Sequence, residues 1–350
     1  MTRATRFTIE ELTPKFMDQS ERFNDWYFTV HFTHEGKKHL VKLAITEGSL
    51  LGQMTQLTLS RDPASLKDEG DAVTLSRSVN DISLTKDEAE LLFSQSDDQV
   101  KVEMGCLTAI CGLEQQRIIS TNETISADLT FKPRGPMLHW KHEAGAVCQV
   151  TDVTRVSGSE SLSDVQGTLT VNGQEMQVEG RGLFEHVWFS ALNFFEIRAM
   201  DWFYGHFDEM YLYLCHCESI TSESKPFHFE TGEMYIIIND DFLPAKSLEV
   251  EPESWVFLED FRRFIPSEQS VVVRTDQGTL KLKTRLLNYP LFIQDPARLE
   301  GLTIDNVPGW SSIFCDVPIT LEGKFTYKDG RVIELTNGVG MNEVIRISPL

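Results

Sequence analysis

Apolar and polar residues alternate with a period of two through most of the chain, and sustained 3.6-residue periodicity is nearly absent. That spacing predicts strands. Residues Asp25–Phe32 (DWYFTVHF) and His39–Ile45 (HLVKLAI) read as two strands flanking a turn over His34–Lys37. Gln166–Val171 and Gln174–Glu179 flank Asn172 and Gly173, the strongest short hairpin signal, because both central residues of a type I′ turn need φ > 0. The same reasoning predicts hairpins over Val271–Leu282, around Asp276–Gly278, and over Pro318–Leu335, around Asp329 and Gly330. Met210–Cys215 and Glu233–Ile238 add further strands. Helix is expected in two short places only. One is Thr85–Phe93, with Thr85 as N-cap and Glu88 completing a capping box; the other is Asp260–Phe264. The polar stretch Ser60–Asp81 reads as an excursion between strands. Many strands joined by hairpins place the chain among all-β barrels or sandwiches, and 350 residues suit two domains.

Composition narrows the classes of partner. A net charge of −21 argues against nucleic acid and anionic membrane surfaces, which draw on clustered Lys and Arg. Solubility explains the acidity sufficiently. No stretch reaches the roughly 18–20 apolar residues of a membrane span, and the first residues show no apolar run of a signal peptide. The six cysteines (Cys106, Cys111, Cys148, Cys215, Cys217 and Cys315) complete no zinc pattern and read as free thiols in a reducing, cytoplasmic setting. Cys215 and Cys217, two apart on a strand, share a face. The 22 phenylalanines and 6 tryptophans supply either core or the walls of an apolar ligand pocket. There is no phosphate loop, dinucleotide fingerprint, nucleophile elbow or zinc-protease motif. His31 and His34, like His139 and His142, lie three apart and on opposite strand faces, so the reading is metal-free and cofactor-free. His139 and Cys148 read as structural.

The segment Gly180–Trp188 (GRGLFEHVW) stands out, followed by Met200–Tyr204 (MDWFY). On a strand Phe184, His186 and Trp188 share one face, and Leu183, Glu185 and Val187 the other. Gly180 and Gly182 let another backbone or a ligand come close. His186, between two aromatics, reads as a proton-handling group or as a hydrogen-bonded core histidine; the residues alone leave both open.

Four segments resemble one family, that of carotenoid hydratase (hydroxyneurosporene synthase) and AttH, which includes kievitone-hydratase-like proteins and the fungal lipocalin-like Diels–Alderases. Asn24–His31 is similar to its opening E-W-W-Y-F-x-G-H, and Gly180–Trp188 to its G-x-x-x-D-H-x-W. Asp201–Phe203 is similar to its W-D-W-F, and Thr320–Thr336 to its closing V-x-G-x-x-x-G-x-G-Y-x-E-L-T-G-Y. Glu185 stands where the signature has Asp, Phe189 where it has Gly, and Asn337–Val339 where it closes on G-Y. The resemblance implies two lipocalin-like β-barrel or sandwich domains, 1–190 and 191–350, packed together with few short helices. It also implies an apolar substrate of polyketide or terpenoid type, in a pocket in or between them. Carried across residue by residue, it points to Glu185, His186 and Asp201 as catalytic. Trp26, Tyr27, Phe184, Trp188 and Trp202 are the corresponding substrate-binding aromatics. Trp26 and Trp202 read equally as core plugs at a barrel end, and Asp201 as a ligand of backbone amides.

Three functions follow. A cyclase or isomerase of Diels–Alderase type would fold a polyene or prenylated substrate into a reactive conformer without a cofactor. A hydratase would protonate an isoprenoid-type alkene from a carboxylic acid and let water capture the cation, with Trp faces stabilising it. The third is a non-catalytic carrier of an apolar ligand.

Overall fold

The structure is a computed structural model and describes residues 8–15, 17–18, 22–48, 52–61, 65–68, 73–78, 80–135, 137–139, 148–149, 155–191, 197–219, 227–228, 234–239, 241–294 and 310–349. His142 and the side chains of His139 and Cys148 lie outside the described residues. Two compact units divide the chain: unit 1 is residues 1–61 with 81–192, and unit 2 is residues 62–80 with 193–350.

Strands dominate both. In chain order they begin with β1 (Phe23–His34), β2 (Lys37–Gly48), β3 (Met54–Ser60), β4 (Ser65–Asp68), β5 (Val73–Ser76) and β6 (Ile82–Asp87). Next come β7 (Leu92–Gln95), β8 (Gln99–Met104), β9 (Leu107–Gly112), β10 (Gln116–Thr121) and β11 (Ile125–Pro133). Short β12 (Leu138–His139) and β13 (Cys148–Gln149) precede β14 (Arg155–Val171), β15 (Gln174–Ala191), β16 (Ile197–His206) and β17 (Met210–Ser219). The last are β18 (Phe227–His228), β19 (Tyr235–Ile238), β20 (Asp241–Leu258), β21 (Arg263–Thr275), β22 (Gly278–Leu286), β23 (Phe292–Gln294), β24 (Trp310–Tyr327) and β25 (Val332–Pro349). Among the described residues helix is confined to two 3₁₀ turns, Ile9–Leu12 and Glu259–Phe261. None is long and apolar enough to cross a membrane.

Unit 1 is one curved sheet in the order β6-β3-β2-β1-β15-β14-β11-β10-β9-β8-β7, a half-barrel, with β12 and β13 paired to β14. Its hairpins form where turn chemistry demands: Glu35 and Gly36 have φ of 50° and 76°, and Asn172 and Gly173 have 49° and 82°, the type I′ geometry. The inner face buries Trp26, Phe28, Val30, Leu43, Ile118, Leu129, Phe131 and Phe184 in one cluster, with Leu12 from the N-terminal 3₁₀ turn. Each such side chain contributes about 1.5–3 kcal/mol on leaving water.

Unit 2 closes a barrel. Strands β16, β17, β19, β20, β21, β22, β24 and β25 pair in a ring, β25 returning to β16. Alternation along β21 and β22 sends Val271, Val273, Leu280 and Leu282 inward, where Phe325 and Leu321 meet them. The polar excursion 60–81 contributes β4 and β5, and β5 adds to β20 in parallel. A continuous 1–190 domain does not anticipate this: the chain leaves unit 1 after β3 and returns at β6.

The expected helix over Thr85–Phe93 is strand instead. Residues 82–87 pair with β3, Thr85 opposite Gln56. Glu88, the residue that would close a capping box, instead gives its backbone N–H to the Gln53 carbonyl (2.8 Å) and accepts from the Thr55 hydroxyl (3.1 Å). A ladder of cross-strand bonds outweighs one capping box at a sheet edge. The second expected helix shrinks to the turn Glu259–Phe261, ended by Arg262 in the left-handed region (φ 52°), and Arg263 already opens β21.

Candidate functional site

Strand β15 carries the signature segment down the middle of unit 1, between β1 and β14. Gly180 and Gly182 explain how closely β1 approaches: a Cβ at Gly182 would lie 2.0 Å from the Thr29 carbonyl oxygen, and one at Gly180 2.1 Å from that of His31. The glycines therefore admit a neighbouring backbone.

As the alternation predicts, Phe184, His186 and Trp188 all point into the apolar core and are fully buried. In register, His186 faces Trp26 and Phe184 faces Phe28. The His186 imidazole stacks on Trp26 (centroids 4.5 Å apart, planes 9° apart) and tilts against Trp188 at 5.0 Å. Its Nδ1 lies 3.0 Å from the Glu11 backbone carbonyl, which can only accept, so the proton sits on Nδ1. Trp26 Nε1 donates to the Leu12 carbonyl (3.3 Å), and the Lys15 ammonium lies 5.6 Å from the Trp188 ring centroid. Three signature residues thus hold the segment Glu11–Lys15 onto the core. Burial pulls the His186 pKa down to about 3, and the carbonyl of Glu11 only partly opposes this, so the ring is neutral. Nε2 of His186, and the hydroxyl of Ser159 directly opposite on β14, are buried without a protein hydrogen bond. Such an atom costs about 1–3 kcal/mol when left unpaired.

The other face of the same sheet is the unexpected one. It is also buried, yet polar. Glu185 (5% exposed) lies between Tyr27 on β1 and Glu160 (1%) on β14 in one cross-strand row. Lys42 (2%) stands on β2 with its ammonium 4.7 Å from the Tyr27 ring centroid. Thr46, Gln56, Thr58 and His31 extend the polar surface, and burial lowers the His31 pKa to about 3. Sequence reading reached Tyr27 and Glu185 but missed Lys42 and Glu160. One signal was available for Lys42: in Leu40–Ile45 (LVKLAI) both parities are apolar except for this lysine, which marks a strand buried on both faces. Glu160 needs the β14–β15 register and had no local signal.

Asp201 and Trp202 belong to unit 2. Asp201 points into the barrel and accepts hydrogen bonds from Gln269 Nε2 (2.9 Å), Asn342 Nδ2 (2.9 Å) and Arg346 (2.7 and 2.6 Å to its two oxygens). Arg346 also donates to the Met200 and Ile345 carbonyls. Burial alone would raise the Asp201 pKa, but the Arg346 guanidinium, the nearby His216 and the bonds from Asn342 and Gln269 hold it well below the usual carboxylate range. A carboxylate so held is a poor proton donor near neutral pH. Its partners are side chains, not backbone amides. Trp202 faces away from the lumen, with Tyr204, His206, Tyr213 and Cys215 on the same side of the β16–β17 pair. Trp202 meets Tyr213 edge-on (6.0 Å), Tyr213 stacks on Tyr235 (6.0 Å), and Tyr235 on Phe242 (5.2 Å). All but Phe242 are buried.

Two open surface grooves on unit 1, one lined by Lys132, Asp164 and Arg181 and one by Arg117, Asp128 and Gln177, include none of the buried ionisable or aromatic side chains described above.

No family model matches the chain, and no curated protein does. Solved structures do. Kievitone hydratase from Nectria haematococca superposes with a TM-score of 0.63 at 13% identity, over 99% of this chain and 94% of that one. An AttH-like protein from Nitrosomonas europaea gives 0.58 at 12%, over 97% and 96%. CghA with Sch210972 gives 0.62 at 9%, over 93% and 89%. The fold that the sequence resemblance implies is the fold the chain has.

Proposed function

We propose that the chain is a cofactor-independent biosynthetic enzyme that cyclises or isomerises an apolar polyene or prenylated substrate, with Glu185 on the polar face of unit 1 as its reactive carboxyl. One observation carries this reading: a sheet face that is buried yet holds Tyr27, Lys42, Glu160 and Glu185. Burying ionisable groups costs several kcal/mol each, and an apolar face would serve stability better, so the face is built for chemistry. The structural neighbours, among them a hydratase and a Diels–Alderase, support an enzyme of this class. Holding two reacting carbons in a near-attack geometry supplies about 7–11 kcal/mol of barrier lowering. The Tyr27 hydroxyl and Glu185 then polarise a substrate carbonyl or stabilise developing charge.

Hydration is the second reading, favoured by one feature. Glu160 directly faces Glu185 across the strands, and a pair of neighbouring carboxyls is the arrangement from which a hydratase would draw a carboxylic acid for addition to an alkene.

The test begins with a native mass spectrum of protein purified from its source, to identify a co-purifying apolar compound. Its precursor is then incubated with wild type and Glu185→Gln. An isomeric product lost about 10²-fold or more in the variant is expected. A product heavier by one water transfers the assignment to hydration. Unchanged precursor with wild type, despite binding, sinks both and leaves a carrier.

A further inference from the structure

On the core face of unit 1, away from Glu185, two residues in direct cross-strand register each carry a buried polar atom without a protein hydrogen bond. His186 and Ser159 are directly cross-strand on β15 and β14, so their side chains leave the sheet on the same side, with Cβ atoms about 4.5–5.5 Å apart. Both residues are completely buried. Nδ1 of His186 carries the proton and gives it to the Glu11 carbonyl, which leaves Nε2 as a bare acceptor. Ser159 offers a hydroxyl, a donor with acceptor capacity to spare. The surroundings are otherwise aromatic: Trp26 stacks on the imidazole and Trp188 is tilted against it.

The neighbours on the same strand show what satisfied serines look like there. Alternate residues Ser157, Ser159, Ser161 and Ser163 all face inward from β14. Ser161 donates to Gln116 Oε1 (3.1 Å) and lies 3.1 Å from the Ser163 hydroxyl, while Gln116 donates onward to the Gly112 carbonyl (2.8 Å). Ser159 stands outside this network, directly across from His186, whose Nε2 also lacks a protein hydrogen bond. A direct Ser159–His186 bond is absent, and an imidazole whose basicity burial has removed is a weak base for activating a serine nucleophile. The pair fits a third group that donates one hydrogen bond and accepts another.

We propose that His186 Nε2 and Ser159 Oγ form a two-point site for one hydroxyl-bearing group inside unit 1, donating to His186 and accepting from Ser159. That chemistry is shared by a single buried water and by the hydroxyl of a small apolar ligand held beside the aromatic rings around His186. The site is independent of the reaction proposed for the Glu185 face.

A high-resolution crystal structure of the full chain, paired with a native mass spectrum of the same preparation, tests it. Density within hydrogen-bonding distance of both atoms is expected. A single isolated peak with no mass adduct assigns water, and extended density with an adduct assigns a ligand hydroxyl. In histidine-¹⁵N-labelled protein, Ser159→Ala shifts the His186 Nε2 resonance toward that of an unbonded lone pair, and Ser159→Thr, which keeps the hydroxyl, restores it. No density between the two atoms, or a direct Ser159–His186 hydrogen bond, overturns the proposal. So does an Nε2 resonance indifferent to Ser159→Ala in a variant whose other resonances show it folded.

Discussion

Asp201 in unit 2 and Glu185 in unit 1 are both buried carboxyls at the centre of a strand, and both stand in signature segments. Their surroundings divide them. Asp201 meets a guanidinium and two side-chain amides at 2.6–2.9 Å, with His216 Nδ1 further off at 3.8 Å. Glu185 has Tyr27 on one side of its row and a second carboxyl on the other. The first arrangement fixes an ionised state and ties β16, β21 and β25 together; the second sets two carboxyls in one cross-strand row. Residues that a motif presents as equivalent are thus separated by their long-range pairings into an anchor and a reactive candidate.

The hardest blow to that contrast comes from Arg346→Met. It strands Asp201 as a buried charge, and removing one member of such a pair costs about 3–5 kcal/mol. The expected outcome is a fall in the thermal midpoint of the transition carrying unit 2, with Asp201→Asn/Arg346→Met recovering part of the loss. A cost below about 1 kcal/mol would show that Asp201 is not held as an ionised anchor.

Acid separates the units next. His31 and His186 in unit 1 have pKa values near 3 in the folded chain, against 6.5 when exposed. Between those values the unfolded chain binds protons that the folded one refuses, so stability falls as pH drops from 6.5 toward 3. Asp201 works at lower pH. Its folded value is depressed below 3.8, so its contribution is complete above 3.8 and is lost as pH falls through the depressed value. From these groups, unit 1 should weaken first. The tryptophan fluorescence that wild type loses in Trp26→Phe, and that it loses in Trp202→Phe, each taken as a difference from wild type, reports unit 1 and unit 2 during an acid titration; unit 2 weakening above pH 5 while unit 1 holds would reverse the assignment.

Much of this was legible in the chain. The Asn172–Gly173 turn needs its positive φ values locally, and the split of Phe184, His186 and Trp188 from Glu185 follows from a period of two. What was not legible depends on partners distant in sequence. Glu11 lies 175 residues from His186, and nothing near either announces the bond. Lys42 and Glu160 acquire meaning only once register puts them on the face of Glu185. Thr85–Phe93 carries a sound capping signal that β3 overrules through cross-strand pairing. Period reveals which residues share a face, while the choice of what covers that face is made by the rest of the chain.

The smallest effect bears on the core face of the signature. His186→Phe keeps a ring stacked on Trp26 but removes the Nδ1 donor to the buried Glu11 carbonyl. One lost hydrogen bond of this kind costs about 1–2 kcal/mol. Global stability should therefore change little, while residues 11–15 lose one of their ties to unit 1; the Trp26–Leu12 bond and the Asn24–Lys15 pair of bonds at 2.7 and 2.9 Å remain. Amide hydrogen exchange should quicken in that segment alone, with β14 and β15 unchanged. Catalysis, once the substrate is known, should fall far less than in Glu185→Gln. If His186→Phe instead removed activity as completely while exchange stayed the same, the histidine would be chemistry and not an anchor, and the reactive face of the sheet would have to be reassigned.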